Sequence, residues 1–266
     1  MTANTRWFDL KTRTLSALVM AATGFGLLLA GGMALSVGMC IFCGLMAWEL
    51  ARMFGVRGGV PWLAAMNAAA LAVAIEFGGV FEQFGLILPL VFAVAIAAAM
   101  FASRDRMTAA LFNGYLLLGC HSFVAIRQEG GFEMIIWLVC VVIASDVAGY
   151  FAGRFLGGPK FWPSISPSKT WSGTVAGWLG AATAGLLFGA VSGAGIELVA
   201  ISAAVALAGQ MGDMAESAIK RKASVKDSSA LIPGHGGLLD RFDALLAASI
   251  MAFVLFKLTY LPQGMF

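Results

Sequence analysis

Long apolar runs separated by short polar connections dominate the pattern of this chain. Many runs approach or exceed about 18 residues with few or no charges, which is typical of helices that cross a lipid bilayer. The two-residue alternation of half-buried strands does not persist anywhere. We therefore expect an all-α, polytopic integral membrane protein with about nine transmembrane helices. The predicted spans are 14–31, 33–51, 60–75, 85–101, 107–126, 134–153, 171–192, 196–212 and 244–260.

Composition agrees with this interpretation, because 60% of the 266 residues are hydrophobic and only 12% are charged. A soluble chain of this length would need more polar surface. We find no internal repeat and no low-complexity segment, so we expect one membrane-embedded domain over 1–266. The four cysteines lie in apolar runs without histidine or acidic companions. Although Cys40 and Cys43 form a C-x-x-C, we interpret the cysteines as small apolar packing residues.

The distribution of basic residues predicts the orientation in the membrane. With nine spans, 15 of the 17 Lys and Arg residues fall on the side of the N-terminus, and only Arg127 and Lys257 fall on the other. Cytoplasmic loops are enriched in Lys and Arg, so we predict a cytoplasmic N-terminus. The segments 154–170 and 213–243 are then cytoplasmic. Residues 1–13 are expected to form an interfacial segment.

Charge is concentrated in one segment, since 10 of the 31 charged residues lie within 213–243. Asp213, Ser217 and Lys220 recur at i, i+4 and i+7, with Glu216 at i+3, which predicts one polar stripe on a helix. The alternative is a solvated helix end with an ion pair between Glu216 and Lys220.

Carboxylates at the membrane face predict a metal site. Asp240 and Asp243 lie at i and i+3 at the start of the ninth span; either could cap the helix, but two facing carboxylates repel. A divalent cation would relieve this repulsion, and Mg²⁺ prefers oxygen ligands. Asp146 lies inside an apolar run, where a charge costs about 2.5–3.5 kcal/mol. It is either a supporting ligand or a structural, hydrogen-bonded aspartate.

Two further motifs predict phosphate binding. Residues 233–237, PGHGG, leave backbone N–H groups available, and basic residues flank them in the sequence. His235 is an acid/base group, a phosphate donor or a structural residue. In SPSKTWSG, residues 166–173, Lys169 precedes a predicted helix N-terminus, which favours anions. We read Ser166-Pro167 as a turn and Trp171 as an interfacial anchor.

All of these elements fall on the same predicted membrane face. Metal ligands, phosphate-binding groups and a bilayer together indicate metal-assisted phosphoryl or nucleotidyl transfer to or from a lipid. The residues alone do not identify the nucleotide.

The sequence SAIKRKASVKDSSALIPGHGGLLDRFD, residues 217–243, resembles the signature of phosphatidate cytidylyltransferases, also called CDP-diacylglycerol synthases. No mismatch occurs across its 27 positions. AWEL at 47–50, ASDVAGYFAGR at 144–154 and SPSKTWSG are also similar to that family, so the resemblance extends over essentially the whole chain. Val147 and Ser172 depart from the common pattern, outside the long signature.

The resemblance implies transfer of the cytidylyl group of CTP to phosphatidate in phospholipid biosynthesis, at the cytoplasmic face of the inner (plasma) membrane. It implies a homodimer that requires Mg²⁺ and does not bind nucleic acid. One or two divalent ions, with or without a monovalent cation, are left open. The implied catalytic residues are Asp213, Lys220, Asp240 and Asp243, with metal ligands Asp213, Asp240, Asp243 and Asp146. The implied phosphate-binding and substrate-binding residues are Lys169, Ser217, Arg221, Lys226, Asp227, His235, Gly236, Gly237 and Arg241.

Two other functions compete with this interpretation. A CTP-dependent lipid kinase would transfer the γ-phosphoryl group to an alcohol and release CDP, but the long signature disfavours it. A transporter would place its polar site near the bilayer midplane, usually between repeats. Here the charge lies at one predicted face.

Overall fold

A computed structural model describes residues 3–56, 60–79 and 85–259, with side chains for those between residues 11 and 258. The basic residue Arg57 and the last residue of the ninth predicted span fall outside the described residues. So do the side chains of the predicted interfacial segment up to residue 10. The backbone of that segment is helical from Ala3 and continues into the first predicted span without a break.

In the part of the chain that the structure describes, nine helices coincide with the nine predicted spans. They are α1 (Ala3–Ala30), α2 (Gly32–Met53), α3 (Val60–Glu76), α4 (Ile87–Phe101), α5 (Arg106–Glu129), α6 (Gly131–Phe155), α7 (Trp171–Ser192), α8 (Glu197–Lys222) and α9 (Leu239–Thr259). Six are long and apolar enough to cross a membrane, namely α1 from Lys11 onwards, α2, α5, α6, α7 and α8. The structure therefore confirms a helical membrane protein, while the count of nine crossings stays a prediction.

A short antiparallel hairpin precedes α7. Strand β1 (Lys160–Trp162) pairs with β2 (Ser166–Thr170). The prediction of a turn at Ser166-Pro167 is therefore wrong, because the chain reverses at 163–165 and Ser166-Pro167 open the second strand. Pro163 supplies the fixed φ that favours the earlier turn. Phe161 packs edge-on against Trp171, with ring centroids 4.7 Å apart, so the tryptophan also holds the hairpin on the helix.

Local sequence explains where α7 begins and ends. Thr170 has extended backbone and its hydroxyl accepts a hydrogen bond from the N–H of Gly173 at 3.2 Å, which is a standard N-cap. Gly193 ends the helix with φ of +77°, a left-handed conformation that suits glycine. The cap fixes Lys169, one residue earlier, at the start of the helix.

The chain divides into two compact units. The first unit comprises Met1–Leu117 and Ala223–Phe242, and the second comprises Leu118–Lys222 and Asp243–Phe266. In the first unit α2 packs against α3 around buried side chains such as Met46 and Leu71. Asn67 donates to Asn113 there at 3.3 Å, which pairs two amides in an apolar core. A single domain over 1–266 stays a prediction.

In the second unit α6 packs against α7, and α7 against α8. Glycines allow the first of these contacts. A Cβ added to Gly173 would lie only 2.7 Å from the backbone oxygen of Gly149, and one added to Gly153 would lie 3.1 Å from Oγ1 of Thr170. Small residues permit such close approach of membrane helices. The contact holds the C-terminal half of α6 and the beginning of α7 side by side.

Candidate active site

Three carboxylates form one cluster in the second unit. Asp213 and Glu216 lie on α8 and Asp243 lies in the first turns of α9; each has an oxygen within 4.8 Å of the others. Asp213 and Glu216 are three residues apart, so they lie on the same helix face. Glu216 is only 1% exposed. We call these three residues the carboxylate cluster.

Two lysines pair with this cluster. Lys169, which follows the hairpin turn, forms an ion pair with Asp213. Lys220 forms an ion pair with Glu216 at 2.6 Å. The hydroxyl of Ser217 donates to Asp213 at 3.4 Å, so the predicted polar stripe lies along α8. The Glu216–Lys220 pair, offered above as the alternative to a site, also forms, and it forms within the cluster.

Burial and nearby negative charge change the pKa of Asp243. This residue lies one position before the predicted span 244–260. Burial, the main cause, and the Asp213 carboxylate raise the pKa of Asp243 to about 7, while Lys220 opposes the shift. Asp146 on α6 also interacts electrostatically with Asp213 and Lys169, and its side chain remains accessible. The second unit therefore brings the predicted residues Asp146, Lys169, Asp213, Ser217, Lys220 and Asp243 together.

The donor set of the cluster fits a divalent cation. All of its ligand atoms are carboxylate oxygens, which hard cations such as Mg²⁺ prefer, and their mutual repulsion is what a cation would offset. Glu216 was not among the predicted metal ligands, because its ion pair with Lys220 already accounts for its place on the helix. Its i+3 spacing from Asp213 is the signal that could have found it.

The remaining predicted residues lie mostly on a loop of the first unit, residues 228–239, and on the first turn of α9; we call 228–239 the signature loop. Asp240 accepts hydrogen bonds from the N–H groups of Ser228 at 3.0 Å and of Gly237 at 2.7 Å. The Gly237 N–H, predicted to bind phosphate, thus donates to Asp240 in this structure. The metal-binding role of Asp240 stays a prediction.

The tip of the signature loop is a tight turn. Ile232 donates its N–H to the oxygen of Gly236 at 2.8 Å, and Gly236 has φ of +83°, which a side chain would strain. His235 contacts α1, where its Nδ1 lies 2.8 Å from Oγ of Ser16. Arg241 donates to the backbone oxygen of His235 at 2.7 Å, so its guanidinium is engaged by the loop.

Other predicted phosphate ligands are at the surface. Arg221, at the end of α8, and Lys226 are exposed, and the Asp227 side chain lies beside Gly236. Their assignments stay predictions.

Glu49 on α2 was noted above only as part of a similar motif. It is completely buried and accepts hydrogen bonds from Ser229, Leu238 and Leu239 of the signature loop. The Ser228 hydroxyl is also within reach, and it shares its single hydrogen between Glu49 and Asp240. The contact joins residues about 180 positions apart in the sequence, so no local pattern predicts it.

Long apolar helices that carry clustered carboxylates and lysines define a class of membrane-embedded transferases acting on phosphate-bearing substrates. Residues 11–259 match the model of the cytidylyltransferase family, and the chain belongs to that family. The phosphatidate cytidylyltransferase of Brucella melitensis is 32% identical over 262 residues, which cover 92% of this chain and 93% of the relative. That of Helicobacter pylori strain J99 is 36% identical over 69% of this chain and 68% of the relative. That of Bacillus subtilis is 40% identical over 54% of this chain and 55% of the relative.

Proposed function

We propose that this protein transfers the cytidylyl group of CTP to phosphatidate, giving CDP-diacylglycerol and pyrophosphate, in phospholipid biosynthesis. The observation that carries the proposal is the carboxylate cluster with its two paired lysines in a helical membrane protein of the cytidylyltransferase family. The full-length similarity to relatives named phosphatidate cytidylyltransferase supports the choice of lipid substrate.

The reaction forms one bond and breaks another at the α-phosphorus of CTP. An oxygen of the phosphatidate phosphate attacks in line, and the bond to the oxygen that bridges the α- and β-phosphorus breaks. Pyrophosphate leaves with that electron pair. The attacking phosphate is already largely ionised near neutral pH, so a strong general base is unnecessary. Positioning and charge compensation are then the main contributions of the protein.

We assign the phosphates to Lys169 and Lys220, which pair with the carboxylate cluster, and to the exposed residues Arg221 and Lys226. Lys169 and Lys220 are each held at a defined carboxylate, so both ammonium groups are oriented before substrate binds. Arg221 and Lys226 are exposed and would meet the departing pyrophosphate. Ser217 would assist through its hydroxyl, which is close to Asp213.

Asp213, Glu216 and Asp243 would hold a divalent cation, and Mg²⁺ is our specific proposal. When bound, such an ion would act as a Lewis acid and neutralise the charge that develops on the phosphate oxygens. Asp240 and Asp146 remain additional predicted ligands. The homodimer stays a proposal that rests on family resemblance alone.

We further propose that the site faces the cytoplasm at the inner membrane, where CTP arrives from water and phosphatidate from the inner leaflet. The N-terminus would be cytoplasmic and the chain would cross nine times. This proposal is supported by the 15 of 17 basic residues that this topology assigns to one side.

The test uses purified protein in detergent with phosphatidate, Mg²⁺ and CTP labelled at either the α- or the γ-phosphate. We expect α-label to enter the lipid and pyrophosphate to be released. Entry of γ-label into an added polyprenol, with release of CDP, would instead identify a lipid kinase on the same scaffold. Folded protein that transfers neither label would contradict both transferase assignments.

A further inference from the structure

Glu49 is a buried carboxylate at an unusual place. It lies on α2, one turn before the end of a helix long and apolar enough to span a membrane, and it is 0% exposed. An ionised side chain in such surroundings is costly unless it is fully hydrogen-bonded. Among the described residues, its hydrogen-bond partners are neutral hydroxyl and backbone N–H donors. Packing alone therefore does not explain a carboxylate at this position.

All four donors belong to the signature loop. The hydroxyl of Ser229 donates to Oε1 at 2.6 Å and that of Ser228 lies 3.2 Å from Oε2. The N–H groups of Leu238 and Leu239 donate to Oε1 and Oε2 at 2.8 and 2.7 Å. Each carboxylate oxygen therefore contacts one donor from the start of the loop and one from its end. The Glu49 side chain thus connects the two ends of the signature loop.

The end of the loop is also the beginning of α9. The first N–H groups of a helix have no partner within the helix, and they favour a negative charge. Glu49 supplies that charge from another helix, while Asp240 supplies it from within the first turn. Gly237 permits the approach, because an added Cβ would overlap the Ser228 hydroxyl and lie 2.6 Å from Oε1 of Glu49. Only glycine fits at this position.

We propose that Glu49 is a positioning residue for the cytidylyl transfer, which anchors the signature loop and thereby orients Asp240, His235 and Arg241. This inference rests on the proposed function. Glu49 itself would not touch substrate. A displacement of about 1 Å in groups that orient a reaction can reduce the rate 100-fold, so a loop released at its base should lose turnover.

The test substitutes Glu49→Gln and measures cytidylyl transfer together with hydrogen–deuterium exchange of the loop amides. A glutamine amide cannot accept hydrogen bonds through its nitrogen, so donors of the loop lose their acceptor while the shape is kept. We expect kcat to fall about 10- to 100-fold. Exchange at 228–239 should accelerate, while exchange in α6 and α7 stays close to that of the wild type. Glu129→Gln, at an exposed ion pair with Lys257, is the matched control and should keep its activity.

A second variant distinguishes anchoring from a general packing effect. Ser229→Ala removes one donor to Glu49 and leaves the carboxylate, so the double variant with Glu49→Gln should lose little beyond Glu49→Gln alone. Ser229→Ala also removes the acceptor of the Leu231 N–H at 3.0 Å, so exchange at Leu231 is left out of the comparison. Additive losses would overturn the inference, as would wild-type kcat in Glu49→Gln or unchanged exchange of the loop. If Glu49→Gln does not fold, Ser229→Ala alone must still show faster loop exchange and lower kcat; unchanged values there would overturn the inference.

Transfer of the α-label by the wild-type protein tests the proposed function separately from the role of Glu49. Wild-type protein that fails to transfer the α-label contradicts the function, whatever Glu49 does. In that case the exchange measurement still decides whether Glu49 anchors the loop. Active wild type with an unaffected Glu49→Gln variant contradicts only the positioning role.

Discussion

At the scale of single residues, the charges of the carboxylate cluster bear on how the proposed site would bind both a cation and a polyphosphate. When Asp243 is ionised, the three carboxylates and the paired lysines Lys169 and Lys220 give a formal charge of −1, from −3 and +2. This excess attracts a cation. A bound divalent ion would change the formal charge to +1, which attracts phosphate.

Asp213→Asn is expected to lower kcat at least about 100-fold, because an amide is a poor ligand for Mg²⁺ and because Lys169 loses its ion-pair partner. Asp240→Asn should have a similar effect if the predicted role of Asp240 is correct. The measurement is transfer of α-label from CTP to phosphatidate at increasing Mg²⁺. Asp105→Asn is the control, since Asp105 lies outside the site and its contact with Thr108 survives in an amide. Near-normal turnover in both site variants would contradict the metal assignment.

Ser16 is expected to influence the reaction by orienting the imidazole of His235. Its single hydroxyl hydrogen is within reach of the backbone oxygens of Thr12, Arg13 and Pro233, at 2.9, 3.1 and 2.9 Å, and these atoms can only accept. The hydroxyl can therefore donate to one of these carbonyls while it accepts from Nδ1–H of His235.

Ser16→Ala should consequently reduce kcat/KM about tenfold, the size of a lost orienting contact. The decisive measurement is the double variant with His235→Ala, which should be no worse than His235→Ala alone. Ser36→Ala, which removes a hydroxyl bonded to the oxygen of Gly32 elsewhere, is the control. A further loss in the double variant would show that Ser16 acts independently of the histidine.

At the scale of the helices and the hairpin, the packing of α6 against α7 holds Asp146 and Lys169 in place. Gly173→Ala should destabilise the protein, because its Cβ would lie 2.7 Å from the oxygen of Gly149 and the helices must move apart. Overpacking of this kind costs typically about 1–3 kcal/mol. The measurement is the melting temperature in detergent. Gly24→Ala is the matched control, since a Cβ there meets nothing within 4 Å; an equal melting temperature in both variants would contradict the packing argument.

The helices were predictable from the sequence, whereas several contacts that build the site were not. Each predicted span coincides with a helix, because a long apolar segment in a bilayer satisfies its backbone hydrogen bonds most readily as a helix. The hairpin was not predicted, because Ser166-Pro167 resembles a turn. In addition, a strand of three residues is too short to show the alternation of apolar and polar positions. The contact of Glu49 with the loop was not predictable, because it depends on the folded arrangement of distant segments.

At the scale of the whole molecule, the arrangement of charge along the helices defines a predicted inside and outside. Lys257 and Glu129 form an exposed ion pair at 2.6 Å in the second unit, on the side that the topology assigns to the exterior. The hairpin and the paired lysine Lys169 belong to the side assigned to the cytoplasm. Only α6 separates Gln128 from the hairpin in sequence, so these two positions should lie on opposite sides of the bilayer if α6 crosses it once.

Cysteine labelling tests that expectation directly. Ser164→Cys in the exposed hairpin turn should react with a membrane-impermeant maleimide only in inside-out vesicles, and Gln128→Cys only in right-side-out vesicles. The wild type is the control: Cys43 and Cys120 are buried and all four cysteines lie in apolar helices, so its labelling should be low in both. Labelling of both positions from one side would show that α6 does not cross. Exchange of the two sides would place the carboxylate cluster away from CTP and contradict the cytoplasmic site, because CTP is supplied from the cytoplasm.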